Sequence, residues 1–357
     1  MRSFFNYNVI VLFTVLLISP CTNVMGQNSS LTVKVNPVEN EQRVDIFIGG
    51  ELFTSYLYTD TIPDLKKTVL FPIKTANGND ITRGFPLHPR KGERVDHPHH
   101  IGLWLNYGNV NNLDYWNNSN AIPSSRFYEM GAIRHNKILS YKNHKNIAHL
   151  QVEENWLKPD NSILLKENTK FIFHAESNLR IIDRLTTLTA LNEEVTFHDT
   201  KEGMMAIRLT RALEHPTDKP IILSDVHGNK TSVPVLDNSI VTGHYINSNG
   251  AEGLDVWGKR SKWVALTGEI QNEIVTVAIF DHPRNTGYPA YWHARGYGLF
   301  SVNPLGQRIF SNGKENMDLK LNPGESTFFY YRILIISGET NTELINSKFQ
   351  DFLSEYK

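Results

Sequence analysis

Apolar and polar residues alternate along most of this chain, and the alternation is cut at short intervals by Gly, Asn, Asp or Pro. A strand sends successive side chains to opposite faces, so runs of this kind predict half-buried β-strands. The pattern predicts strands over Leu31–Val35 and over Arg43–Ile48, turning through Gly49-Gly50 into Leu52–Tyr58. Others are predicted at Ile133–Tyr141, Ala148–Trp156, Ile163–Phe173, Leu179–Leu191, Met204–Leu209, Trp263–Phe280 and Phe328–Ile336. Only the C-terminal stretch has helical character. Asn341 or Thr342 can cap it, and Leu344, Ile345, Phe349, Phe352 and Leu353 recur at near-helical spacing. No repeat, linker or composition break divides the chain. The expected fold is all-β, a large antiparallel β-sandwich with a C-terminal helix.

The first 26 residues depart from this pattern and read as an export signal, with 27–357 as one β-sandwich domain. Arg2 supplies the positive end, Val9–Ile18 a short apolar run, and Val24-Met25-Gly26 the small residues of a cleavage site. That run is too short for a bilayer span of roughly 20 residues. The single cysteine, Cys21, stands where a lipoprotein would be acylated, but Pro20 before it is unsuited to lipoprotein cleavage. Release into the periplasm or medium is therefore expected ahead of lipid anchoring. Without Cys21 no disulfide, thiol nucleophile or cysteine–zinc site can form. The formal net charge of −1 gives no electrostatic case for nucleic acid.

Reactive side chains concentrate in two segments, Arg83–Trp116 (RGFPLHPRKGERVDHPHHIGLWLNYGNVNNLDYW) and Asp281–Pro304 (DHPRNTGYPAYWHARGYGLFSVNP). A core strand is not built this way, because a buried polar group without a partner costs about 1–3 kcal/mol. The two segments are expected to meet in one cleft. In His97-Pro98-His99-His100, strand alternation would separate His100 from His97 and His99, and Pro98 points to an edge or loop. These histidines could bind zinc, copper or iron, act as acid, base and sugar ligand, or brace a loop. The metal-free reading is preferred, since Arg and protonated His already carry the charge a cation would supply. In the second segment Tyr291, His293, Arg295 and Tyr297 would share one face. A third, charged segment, His198–Gly203, precedes a strand. The chain has no P-loop, no dinucleotide fingerprint and no Gly-x-Ser-x-Gly elbow. No cofactor is expected.

Together with KEGMMAIR, these two motifs resemble the PmoA-like family of exported bacterial proteins over roughly residues 45–335. The label "methane oxygenase" attached to that family does not suit a chain whose one apolar run is a removable signal. What the resemblance implies is a galactose-mutarotase-like supersandwich, often encoded among polysaccharide-degrading enzymes of Bacteroidota. Fold does not give function, so the chemistry is read from the residues. Rich in His, Arg and Tyr, they suit elimination from a uronic acid, in the form of a dehydratase acting at the non-reducing end of an oligosaccharide and leaving a 4,5-unsaturated sugar. Catalytic candidates are His99, His100, His293 and Tyr297. Substrate-binding candidates are Arg83, His97, Trp104, Asn111, Lys201, Glu202 and Arg295. The expected partner is an anionic oligosaccharide, with no stable membrane span. Two alternatives stay open. Hydrolysis or epimerisation would draw on Asp96, Asp114, Glu202 and Asp281, since hydrolysis needs paired carboxylates. Non-catalytic binding would use Trp104, Trp116 and Trp292 as stacking platforms.

Overall fold

The computed structural model describes Met1 and residues 31–357. Apart from Met1, the expected export segment with Cys21 lies outside the described residues. Two eight-stranded antiparallel sheets dominate. The first runs Val33–Val38, Arg43–Ile48, Glu51–Leu57, Val69–Ile73, Leu103–Leu105, Met205–Arg208, Leu299–Asn303, Tyr291–Ala294. The second runs His244–Asn247, Trp263–Ile270, Glu273–Asp281, Ser326–Ser337, Leu179–Ala190, Ile163–Ala175, Ile147–Leu157, Ala132–His144. This is the large antiparallel sandwich that the alternation predicts. Among the described residues no helix is long and apolar enough to cross a membrane.

Each strand sends one set of side chains between the sheets. Leu103, Leu105, Met205, Ile207, Phe300, Val302 and Trp292 from the first sheet join Leu150, Val152, Phe173, Ile182, Val277 and Ile333 from the second in one buried core. The hairpin Arg43–Ile48/Glu51–Leu57 turns at Gly49 and Gly50, both at positive φ, a conformation Gly adopts without a Cβ clash. The run predicted as one strand from Trp263 to Phe280 is instead two strands. Gln271 and Asn272, at φ 50 and 66, form a two-residue hairpin turn between them.

The helix Thr342–Glu355 is capped by Asn341, whose Oδ1 accepts from Leu344 N at 2.9 Å. Its Ile345, Phe349 and Phe352 pack on Leu179, Ile181, Trp263, Phe280 and Leu334 of the second sheet's outer face. Leu344, expected on the apolar stripe, points outward and is 38% exposed. Among the described residues, loops cover most of the outer face of the first sheet, and the short helix Gln307–Phe310 sets Phe310 against Tyr291 and His293.

Candidate active site

Cross-strand register places Trp104, Ala206, Ser301 and His293 in one row on that outer face. Their sequence neighbours point into the core, so the alternation that builds the sandwich also builds the row. Its two central positions hold the smallest side chains, Ala206 and Ser301, and both are fully buried. Trp104 Nε1 donates to Asn106 Oδ1 at 3.0 Å, and Ser301 Oγ donates to Gly203 O at 2.5 Å.

The His97–His100 segment folds over one end of this row as a tight turn, with His100 N donating to His97 O at 3.0 Å. His97 has a left-handed backbone, φ 44. Strand alternation therefore does not apply here: the His97 and His100 rings stack at 4.9 Å and 3°, with His99 edge-on to both. Parallel stacked rings aim their in-plane lone pairs along separate planes, so these two do not converge on one ion. His100 in turn lies on Trp104, 5.4 Å between centroids.

Two buried arginines hold the turn. Arg83 donates to Asp96 Oδ1 at 2.8 Å and to the carbonyls of Asp96, His97 and His100 at 2.7, 2.9 and 3.1 Å. Arg208 donates to Asp96 Oδ1 at 2.7 Å and to His100 Nδ1 at 3.2 Å. A guanidinium can only donate, which fixes the proton of neutral His100 on Nε2. Burial alone would push the Asp96 carboxyl up, but Arg208, His97 and Arg83 outweigh it and hold it well below the usual carboxylate range. Asp96 is thus ionised, and its other oxygen lies 3.3 Å from His97 Nδ1. The His97 side chain is 40% exposed, so its Nε2 edge has access to ligand.

Tyr297 joins this turn to the second segment. Its ring stacks on His97 at 5.1 Å and 5°, and the Arg208 guanidinium lies 4.8 Å from it. The strand Tyr291–Ala294 ends before Tyr297, in a turn closed by Gly298 at φ 82. Burial raises the Tyr297 phenol, with Arg208 and Arg295 pulling the other way. His293 is buried, and burial followed by the charges of Arg295 and Lys201 lowers it to about 3. Arg295 is exposed and stands over both Trp257 and Tyr297, at 5.7 and 5.8 Å. Lys201 and Glu202 close the far rim, where Glu202 accepts from Thr200 Oγ1 at 2.6 Å.

The structure brings His97, His99, His100, His293, Tyr297, Arg295, Lys201 and Glu202 to one side of the first sheet. Three substrate-binding candidates are placed otherwise. Arg83 is 1% exposed and committed to Asp96 and backbone carbonyls, a brace for the turn. Trp104 is fully buried under His100. Asn111 ties backbone together, donating to Glu194 O and accepting from Thr196 N. His99 and His100 lie beneath His97, with only 8% and 1% exposure. Sequence reasoning missed the contributions of Arg208, Lys67 and Trp257. Alternation through Met205–Arg208 could have found the first, since Arg208 shares a face with Ala206.

Three imidazole nitrogens here are buried without a hydrogen-bond partner: His99 Nε2, His100 Nε2 and His293 Nδ1. Buried polar atoms are nearly always paired in native proteins, so this concentration marks a place built for polar ligand or water.

A profile described as "Family of unknown function (DUF6807)" matches residues 43–350. No curated protein matches in sequence. Among solved structures, a GH36 α-galactosidase from Geobacillus stearothermophilus is 12% identical, with 87% of this chain and 41% of that chain covered at a TM-score of 0.39. A galactose mutarotase related enzyme from Lactobacillus acidophilus is 10% identical, with 87% and 98% covered and a TM-score of 0.29. A glycoside hydrolase family 97 variant from Pseudoalteromonas is 8% identical, with 85% and 34% covered and a TM-score of 0.31. This chain spans less than half the length of the α-galactosidase and of the family 97 enzyme.

Proposed function

We propose that this chain, which belongs to the DUF6807 family of unknown function, is a carbohydrate-active lyase that eliminates water from a uronic acid residue of an oligosaccharide. The observation that carries the reading is the Asp96–His97 pair stacked on Tyr297. An ionised carboxylate beside Nδ1 keeps the ring proton there and leaves Nε2 as a base facing the ligand. That base removes the C5 proton, the electron pair forms the C4–C5 double bond, and the C4–O bond breaks. Tyr297, kept protonated by burial, donates to the departing oxygen, which leaves as water. In this reading His293 and Glu202 hold ring hydroxyls. Arg295 gives the rim a fixed cation for an anionic chain. None of these steps calls on a metal or an organic cofactor.

The carboxylates speak against ordinary hydrolysis, which uses a pair about 5–10 Å apart. Asp96 is engaged by Arg83 and Arg208. Asp114 accepts from Trp116 N, Asn117 N and Asn117 Nδ2. Asp281 belongs to the second sheet and accepts from Asn285 and Ala290. That leaves Glu202 without a free companion among the four acids. A pure binding module would need an aromatic platform; Trp104, Trp116 and Trp292 are all buried, and the partly exposed Trp257 is covered by Arg295. Incubation with uronate-containing oligosaccharides tests the reading: ultraviolet absorbance of a conjugated enoate should rise. New reducing ends without that absorbance would replace elimination with hydrolysis.

A further inference from the structure

Lys67 precedes the strand Val69–Ile73 and is buried, 4% exposed. Its ammonium donates to His99 O at 2.6 Å and lies 5.0 Å from the Trp104 ring. An ammonium carries three donors and no acceptor, so two N–H groups remain for another partner. Beside it the Nε2 atoms of His99 and His100 are also buried and unpartnered, on rings whose centroids are 4.3 Å apart. Three polar groups with unused capacity thus meet on the inner side of the His97 turn.

The surroundings are short of negative charge. Arg83, Arg208 and His97 face these groups, and Asp96 and Asp114 are the carboxylates near them. Asp96 is already held by both arginines, and Asp114 by three N–H donors. Burial lowers Lys67 to about 7. Burial and then the Lys67 charge lower His99 to about 2, and burial followed by His99 and Arg208 takes His100 well below its ordinary value. Desolvation keeps each base from its proton; neighbours of like sign add to it for His99 and His100, while Asp114 works the other way on Lys67. An anion seated among them would favour the charged form of all three.

We propose that Lys67, His99 and His100 form an interior seat for one carboxylate, the acidic substituent of a sugar ring bound against the His97 turn. The proposal rests on reading this face as an acidic-sugar site and adds where the reacting ring's charge is neutralised. A glycan with acidic groups on adjoining residues then has Arg295 at the rim for the outer one.

Seating an anion here must draw protons onto the protein near neutral pH, and proton uptake is the readout. Calorimetric titration of the whole protein with sodium D-glucuronate, in two buffers of different ionisation heat at pH 7.5, should show uptake of up to about one proton per bound anion. The methyl ester of the same sugar should bind without uptake. Lys67→Met should remove the uptake and weaken glucuronate at least about tenfold. Should that variant fail to fold, the acid-against-ester comparison on the wild-type protein still decides. Glucuronate bound without uptake, equal uptake with the ester, or no glucuronate binding overturns the seat. The enoate assay reports separately: uptake without enoate keeps the seat and sinks elimination, while enoate without uptake does the reverse.

Discussion

The two sheets share one core, but their outer faces are finished in opposite ways. On the second sheet the C-terminal helix lays Ile345, Phe349 and Phe352 onto an apolar surface, and most polar groups beside it are matched, with His174 Nε2 and His282 Nε2 as the exceptions. Asp183 accepts from Arg332 Nε and Nη2 at 2.6 and 2.7 Å and from the Tyr356 hydroxyl at 2.7 Å, and Arg332 reaches on to Glu355 at 2.5 Å. On the first sheet the same depth of burial encloses imidazoles whose nitrogens have no partner. Desolvating a polar group is tolerated when its hydrogen bonds are replaced. Where they are not, the structure sustains a cost that ligand binding can relieve. The largely matched face therefore reads as architecture, and the one where unpartnered imidazoles crowd beside the half-exposed His97 reads as a site.

Substitutions on the two faces should separate along that line. The largest effect is expected from His97→Asn, chosen because Asn tolerates the left-handed backbone at this position. Loss of the base should lower kcat about 10²–10⁴-fold while the melting temperature stays near that of the parent protein. Equal loss of both would make His97 a brace.

Phe352→Ala should do the converse. Removing a fully buried ring from the helix–sheet contact should cost about 3–5 kcal/mol of stability. Turnover per folded molecule should be unchanged, as denaturant titration beside kinetics on the soluble protein will show. A fall in kcat under conditions where the variant remains folded would tie the helix to the site and dissolve the contrast.

Arg295→Lys probes the rim. An ammonium cannot reproduce the planar fork that binds a carboxylate through two donors. Its kcat/KM should fall about tenfold on a uronate-containing chain and less on a neutral one. Identical losses on both would mean that Arg295 serves packing against Trp257 and Tyr297 rather than charge recognition.

How far the sequence foretold this contrast depends on the kind of signal each part carries. Alternation marks the long strands well, because one face of each must be apolar; Arg43–Ile48 and the Leu179 strand follow it within a residue. It missed the break at Gln271–Asn272, where the left-handed turn is built on Gln and Asn without the Gly that usually marks it. The chemistry-bearing segments stand out by density, and they do meet. Roles within them depend on which atoms fold inward. Arg83 and Arg295 are the same residue type, yet one holds backbone carbonyls and the other stands exposed over Trp257 and Tyr297. Lys67 lies in an ordinary Lys66-Lys67-Thr68 run, and only the tertiary approach of His99 and Trp104 distinguishes it.

The smallest predicted effect concerns a polar cluster inside the sandwich, which tests whether matching is complete away from the site. Glu154 is fully buried, accepting from Tyr56 at 3.0 Å and from Thr68, while its other oxygen has no hydrogen bond. Arg184 donates to Glu167 at 2.6 Å and lies 3.8 Å from Glu154, so one guanidinium serves two carboxyls. Burial, and then the charge of Glu167, raise Glu154 above the ordinary carboxylate range. The folded chain therefore keeps a proton that the unfolded chain releases above about pH 4.3. The stability this group contributes is complete below that pH and is lost as pH rises toward the raised folded value. Glu154→Gln keeps an amide oxygen for Tyr56 and Thr68 and removes the titration. Its stability relative to the parent should therefore improve between pH 5 and pH 8 by on the order of 1 kcal/mol. Thermal melts of both proteins across that range measure it. A difference that stays flat with pH would place the proton elsewhere in the cluster, and Glu167→Gln would then be the variant whose relative stability climbs.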